Sequence, residues 1–140
     1  MRAKLLPFYP YKHCAGFDKD IFTGSPSLKK LVDTYNPKLT AEEVEFLDNQ
    51  VTALCGLLND HDVSVNRDFS KEAWDYMRSE KFFGMKIPKE WGGLGFSTHA
   101  VSSVLQKLAT QCFDANATVA VPNSLGPGEL LARYGTQEQK

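Results

Sequence analysis

Ser97-Thr98-His99-Ala100-Val101-Ser102-Ser103-Val104-Leu105-Gln106-Lys107-Leu108-Ala109-Thr110-Gln111-Cys112 is the stretch on which the reading of the fold turns. Val101, Val104, Leu105, Leu108 and Cys112 recur at spacings of three and four and so share one face of a helix, while Ser102, Ser103, Gln106 and Lys107 face water. Ser97 opens the run with a side-chain oxygen suited to the unpaired N–H groups of a first turn. The spacing predicts an amphipathic helix over about 97–112.

Upstream lies a loop from Pro88 to Phe96. Gly92, Gly93 and Gly95 there are expected to form a tight turn with positive φ, anchored by Trp91 and Phe96. They do not make a dinucleotide fingerprint, because Gly93-Leu94-Gly95 is followed at the required place by Thr98. Phe82 to Pro88 reads as a short extended piece, since the residue before a proline is pushed out of the helical region. Ser70 is placed to cap a short helix through about Arg78 with Ala73, Trp74 and Met77 on its apolar face. Thr40 and Glu43 form a capping box at the start of a longer helix, expected to run to about Asn59 with Val44, Leu47, Val51, Leu54 and Leu58 as one stripe. Residues 1–39 hold Pro7, Pro10, Pro26 and Pro37 and no sustained apolar period, which predicts an irregular lead-in.

Downstream, Ala115-Asn116-Ala117-Thr118-Val119-Ala120-Val121 is small, apolar and uncharged up to Pro122, and reads as a buried helix. Gly126, Pro127 and Glu129 open another helix, which Gly135 ends after Arg133 and Tyr134. Thr136 and Gln139 form a second capping box with only Lys140 following, which predicts a chain that stops inside a larger protein. No strand-period segment of length and no repeat occurs. The expected fold class is therefore mainly α, a bundle-like helical domain over 40–140 behind the lead-in.

The 140 residues suit one hydrophobic core, and 16 basic against 17 acidic side chains favour neither nucleic acid nor an anionic membrane globally. Arg2, Lys4, Lys12 and His13 precede the first acid, Asp18, a weak pointer to a membrane-surface or anion contact. Leu5 to Tyr11 is cut by two prolines and far shorter than the roughly 20 residues of a spanning helix, and it lacks the form of a signal peptide. Cys14, Cys55 and Cys112 are odd in number and widely spaced, neither a disulfide framework nor a zinc pattern, which suggests a reducing, intracellular compartment. The sequon Asn116-Ala117-Thr118 has meaning only for a secreted chain and is set aside.

The search for chemistry returns little. There is no G-x-S-x-G elbow, and His13, His61 and His99 lie in separate segments without metal-ligand spacing. His61-Asp62 is the best acid/base pair, but adjacent residues on a helix do not face the same way and their surroundings are polar, so it reads as solvated surface. No residue is assigned to catalysis or to a metal. One feature is shaped for a ligand: Ala117, Thr118, Val121 and Leu125 follow one side of a helix, the first three small, and Pro122 cannot donate to the carbonyl of Thr118. On the stripe alone, close packing of two helices is the favoured explanation, and Pro122 is what adds weight to a cavity.

Ile87-Pro88-Lys89-Glu90-Trp91-Gly92-Gly93-Leu94-Gly95, then a helix, then Asn123-Ser124-Leu125-Gly126, then Tyr134-Gly135-Thr136-Gln137-Glu138-Gln139-Lys140 resembles, in order and spacing, the N-terminal domain of acyl-CoA dehydrogenases. Thr40-Ala41-Glu42-Glu43 followed by Phe46-Leu47-Asp48 agrees, so the likeness covers about residues 20–140, and 82–140 looks closest to the large bacterial members serving fatty-acid β-oxidation. The resemblance implies a helical domain followed by a β domain and a second helical domain, with FAD held mainly by the latter two, in a homo-oligomeric parent. It implies acyl-CoA as substrate and a trans-2-enoyl-CoA as product, with the catalytic glutamate in the C-terminal part. Alignment on Asn123-Ser124-Leu125 carries acyl-pocket roles onto Ala117, Thr118, Val121 and Leu125, leaves cofactor-binding residues unassigned, and leaves this chain inactive and without FAD when alone. Membrane-spanning N-terminal segments are expected of the large bacterial enzyme, whereas this chain starts Met1-Arg2-Ala3-Lys4, so the expected location is cytoplasmic or peripheral to the bacterial inner membrane. The rival readings are a stand-alone helical binding module without catalysis and a plain structural domain.

Overall fold

The computed structural model describes Ile21, 24–27, Lys29, 38–124 and 126–140. Most of the irregular lead-in expected over 1–39 lies outside those residues, as does Leu125. Leu39–Lys140 is a compact unit. It consists of α1 (Ala41–Asp48), α2 (Gln50–Leu57), α3 (Asp60–Asn66), α4 (Lys71–Ser79), two 3-10 turns (Phe82–Gly84 and Lys89–Trp91), α5 (Thr98–Gln111), α6 (Phe113–Ser124) and α7 (Pro127–Tyr134). No strand occurs among the described residues, and the mainly α reading holds.

Capping chemistry starts most of these helices. The Thr40/Glu43 box has both of its bonds, and Ser70 and Ser97 accept the N–H groups of Ala73 and Ala100, each at 3.1 Å. Pro127 opens α7 after Gly126. Asn59 accepts from the Asp62 N–H and starts α3, a helix the sequence reading missed because Asp60–Asn66 places only Val63 in the core.

The helix expected from Thr40 to Asn59 is instead two helices meeting at Asn49. The Lys107 ammonium reaches the Leu47 carbonyl at 2.5 Å and the Thr52 hydroxyl at 2.7 Å, competing for a carbonyl that would otherwise continue the ladder. Lys107 is thus half-buried and bonded rather than simply facing water. The break changes which residues point inward. Phe46, Val51, Leu54 and Leu58 are buried, Leu47 is half-buried and Val44 is exposed. The five-residue step from Phe46 to Val51 does not fit a straight helix, so the interruption realigns the two faces.

The extended piece expected over 82–88 is likewise corrected. Lys81 takes a left-handed conformation (φ 60°) and leads into a 3-10 turn, after which the backbone pairs with the glycine loop: Phe96 N–H to Met85 O at 2.8 Å and Gly95 N–H to Ile87 O at 2.9 Å. Gly92 and Gly95 have φ of 85° and 66°, as the turn reading requires, whereas Gly93, expected to share that conformation, does not. Phe96 is buried at the loop's end and Trp91 half-buried at its start. An ion pair from Lys89 to Glu42 (2.6 Å) ties the loop to α1.

The core is one cluster built from α1 to α6 and the first 3-10 turn, with α3 contributing Val63 alone. Phe46 sits at its centre with Phe82 (ring centroids 5.0 Å apart) and, edge-on, Phe96 (5.1 Å). Val101, Val104, Leu108 and Cys112 of α5 are buried as their spacing predicts, and Leu105 is half-buried. Helices α5 and α6, joined through Cys112, pack together, with the Asn116 amide donating to the Leu105 carbonyl at 2.8 Å.

Candidate functional site

Helix α6 has two distinct faces. Ala115, Val119 and Asn123 turn into the core. Ala117 and Thr118 are half-buried, and Val121 is 54% exposed on the other side. Val121 thus points away from the domain's own core, while Ala117 and Thr118 are partly covered within the domain. Thr118 also borders a cavity of about 430 Å³ with Val63, Phe69, Trp74 and Asp114 among its walls.

Pro122 lies inside α6, and the turn around it is held by substitutes for the regular ladder. The Asn123 Nδ2 donates to Val119 O at 2.9 Å, the Ser124 hydroxyl to Ala120 O at 2.7 Å, and the Gly126 N–H to Val121 O at 2.9 Å. Asn123 also donates to Phe82 O at 2.7 Å and accepts from the Lys86 N–H at 3.4 Å, joining α6 to the 82–86 turn. Glu43 is the other buried polar side chain. One carboxylate oxygen accepts from the Thr40 N–H at 2.8 Å and the other from the Ser97 N–H at 2.7 Å, so it serves the starts of both α1 and α5. Sequence reasoning found Glu43 only as a local cap. It used Asn123 only as an alignment landmark.

Among the described residues the remaining titratable groups assemble no catalytic constellation. His61 and Asp62 are exposed, as expected. Burial pushes the Cys55 thiol above its ordinary range, with Lys107 partly opposing. Asp60, Cys112 and Asp114 bring one ligand atom each to within 4.8 Å of one another. Burial raises the Cys112 thiol too, and the neighbouring Asp60 adds to the shift.

Comparison with known proteins agrees with this architecture. The acyl-CoA dehydrogenase N-terminal domain family matches residues 39–140. The chain belongs to that family. Among its curated relatives are 3-sulfinopropanoyl-CoA desulfinase of Cupriavidus necator (38% identical over 66 residues, 47% of this chain and 16% of the relative) and 3-(aryl)acrylate reductase of Clostridium sporogenes (36% over 79 residues, 56% and 21%). A Mycobacterium tuberculosis protein named "Probable acyl-CoA dehydrogenase FadE10" is 41% identical over 58 residues, 41% of this chain and 9% of that one. The matched segments cover about a fifth or less of these relatives' lengths. No solved structure gives a significant match.

Proposed function

We propose that residues 40–140 act as the N-terminal α domain of an FAD-dependent acyl-CoA dehydrogenase of fatty-acid β-oxidation, and that the outer face of α6 forms one wall of its acyl pocket. The observation that carries this reading is the two-sided character of α6. Its inner face closes the domain's own core, while Ala117, Thr118 and Val121 stand on its outer side, on a stripe that begins at the exposed Asp114 and is uncharged from Ala117 onward. Leu125 extends the same stripe by sequence spacing. In this reading the β and C-terminal α domains of a homo-oligomeric enzyme hold FAD and the base that takes the α-proton. FAD when bound accepts the β-hydrogen as hydride. This chain's residues shape and dry the acyl site and carry no proton.

The test is Val121→Trp in the complete enzyme, with kcat/KM measured for short, medium and long acyl-CoAs. Each methylene excluded is worth roughly 1–3 kcal/mol of discrimination. Long substrates are expected to lose about tenfold or more, and short ones little. An equal loss at every length means general damage from overpacking. An unchanged profile in a folded enzyme returns the stripe to helix packing.

A further inference from the structure

Building on the acyl-wall reading, we propose that Asn123 is the positioning residue of that wall: its buried amide fixes how α6 presents Val121, and so sets the longest chain the pocket accepts. Asn123 is 5% exposed in an apolar core. Its bonds to Phe82 O, Val119 O and the Lys86 N–H all end on backbone groups, two of them outside its own helix. The 82–86 turn at the far end of this tether is itself pinned by the glycine loop through Met85 O and Ile87 O. The anchor is therefore fixed backbone and not another mobile side chain.

The tether stands where α6 is weakest. Pro122 supplies no N–H to the Thr118 carbonyl, and its ring crowds that carbonyl, so the helix is free to bend at this joint. A bend at Pro122 would change where Val121 points. Asn123 follows Pro122 directly and lies about 200° around the helix from Val121, so it holds the helix from behind the exposed residue. A buried amide that completes its hydrogen bonds in only one arrangement specifies that arrangement, since any shift strands a donor or acceptor in the core.

The experiment compares Asn123→Asp, Asn123→Leu and Val121→Trp in the complete enzyme, with flavin content and melting temperature recorded for each. Kcat and KM are measured separately for short, medium and long acyl-CoAs. Asn123→Asp keeps the acceptor for Lys86 and loses both donated bonds. It is expected to raise KM for long chains roughly tenfold, with kcat within about twofold and short-chain constants unchanged. Asn123→Leu is expected to shift the profile further. If Asn123→Leu does not fold, Asn123→Asp decides. A loss equal at all lengths and tracking the melting temperature overturns the proposal, as does an unchanged length profile in a folded variant. Should Val121→Trp also leave the profile unchanged, the acyl-wall reading has failed and takes the positioning role with it. A shifted Val121→Trp profile beside a flat Asn123→Asp profile removes the positioning role alone.

Discussion

Glu43 shows how much one side chain settles in this domain. Burial opposes the ionised carboxylate, but the bonds from Thr40 and Ser97 outweigh that cost and hold its pKa below the ordinary 4.5. Folding lowers this pKa, so its stabilising contribution is complete above the ordinary value and is lost as pH falls below it toward the folded value. Glu43→Gln is expected to cost about 2 kcal/mol at pH 7, the scale of hydrogen bonds to a charged group. That deficit should narrow as the pH is lowered toward 3. Urea midpoints of both proteins at the two pH values check it, and a deficit independent of pH would rule out the ionised carboxylate as its source. The Thr40 half of this arrangement was legible in the sequence because a capping box spans three residues. The Ser97 half was not, nor were the bonds of Asn123, because those partners are backbone groups brought close only by tertiary packing.

Among the elements, α4, α5 and α7 follow from periodicity and caps, whereas the break at Asn49 does not. At that break an ammonium 60 residues away in sequence bonds to the Leu47 carbonyl. No local pattern encodes such a competitor. The glycine loop was legible in its two positive-φ positions, but Gly93 matters for another reason: an added Cβ would overlap the carbonyl and side chain of Ile87. Three substitutions separate these roles. Gly93→Ala is expected to cost about 3 kcal/mol by overpacking against backbone. Gly95→Ala, at φ 66° with ordinary contacts around it, should cost about 1 kcal/mol. Gly56→Ala, inside α2 with open space around it, should gain about 0.5 to 1 kcal/mol. Denaturation of the three variants gives the order directly, and a destabilised Gly56→Ala would refute the helical assignment of its surroundings.

At the scale of the whole unit, apolar residues remain outside the core. Phe113 and Val121 on α6 and Leu130, Leu131 and Tyr134 on α7 are exposed. With a net charge of only −1, such a surface favours association of the free chain. Sedimentation velocity is expected to show concentration-dependent species, reduced by Leu130→Glu with Tyr134→Glu at unchanged melting temperature. A chain monomeric at all concentrations would argue against these side chains as a sticky surface. No helix of the described residues is long and apolar enough to cross a membrane.

The shared carboxylate of Glu43 also orders events in time. Its bond with Thr40 closes within a single helical turn, while its bond with Ser97 closes a loop of 54 residues. Closing that loop costs about 3.5 kcal/mol in chain entropy before the new contact returns anything. One oxygen of the carboxylate can therefore act when α1 nucleates, and the other only once α5 has arrived. The side chain that starts α1 is in place before the chain has folded back, and its second oxygen is filled only when the start of α5 arrives.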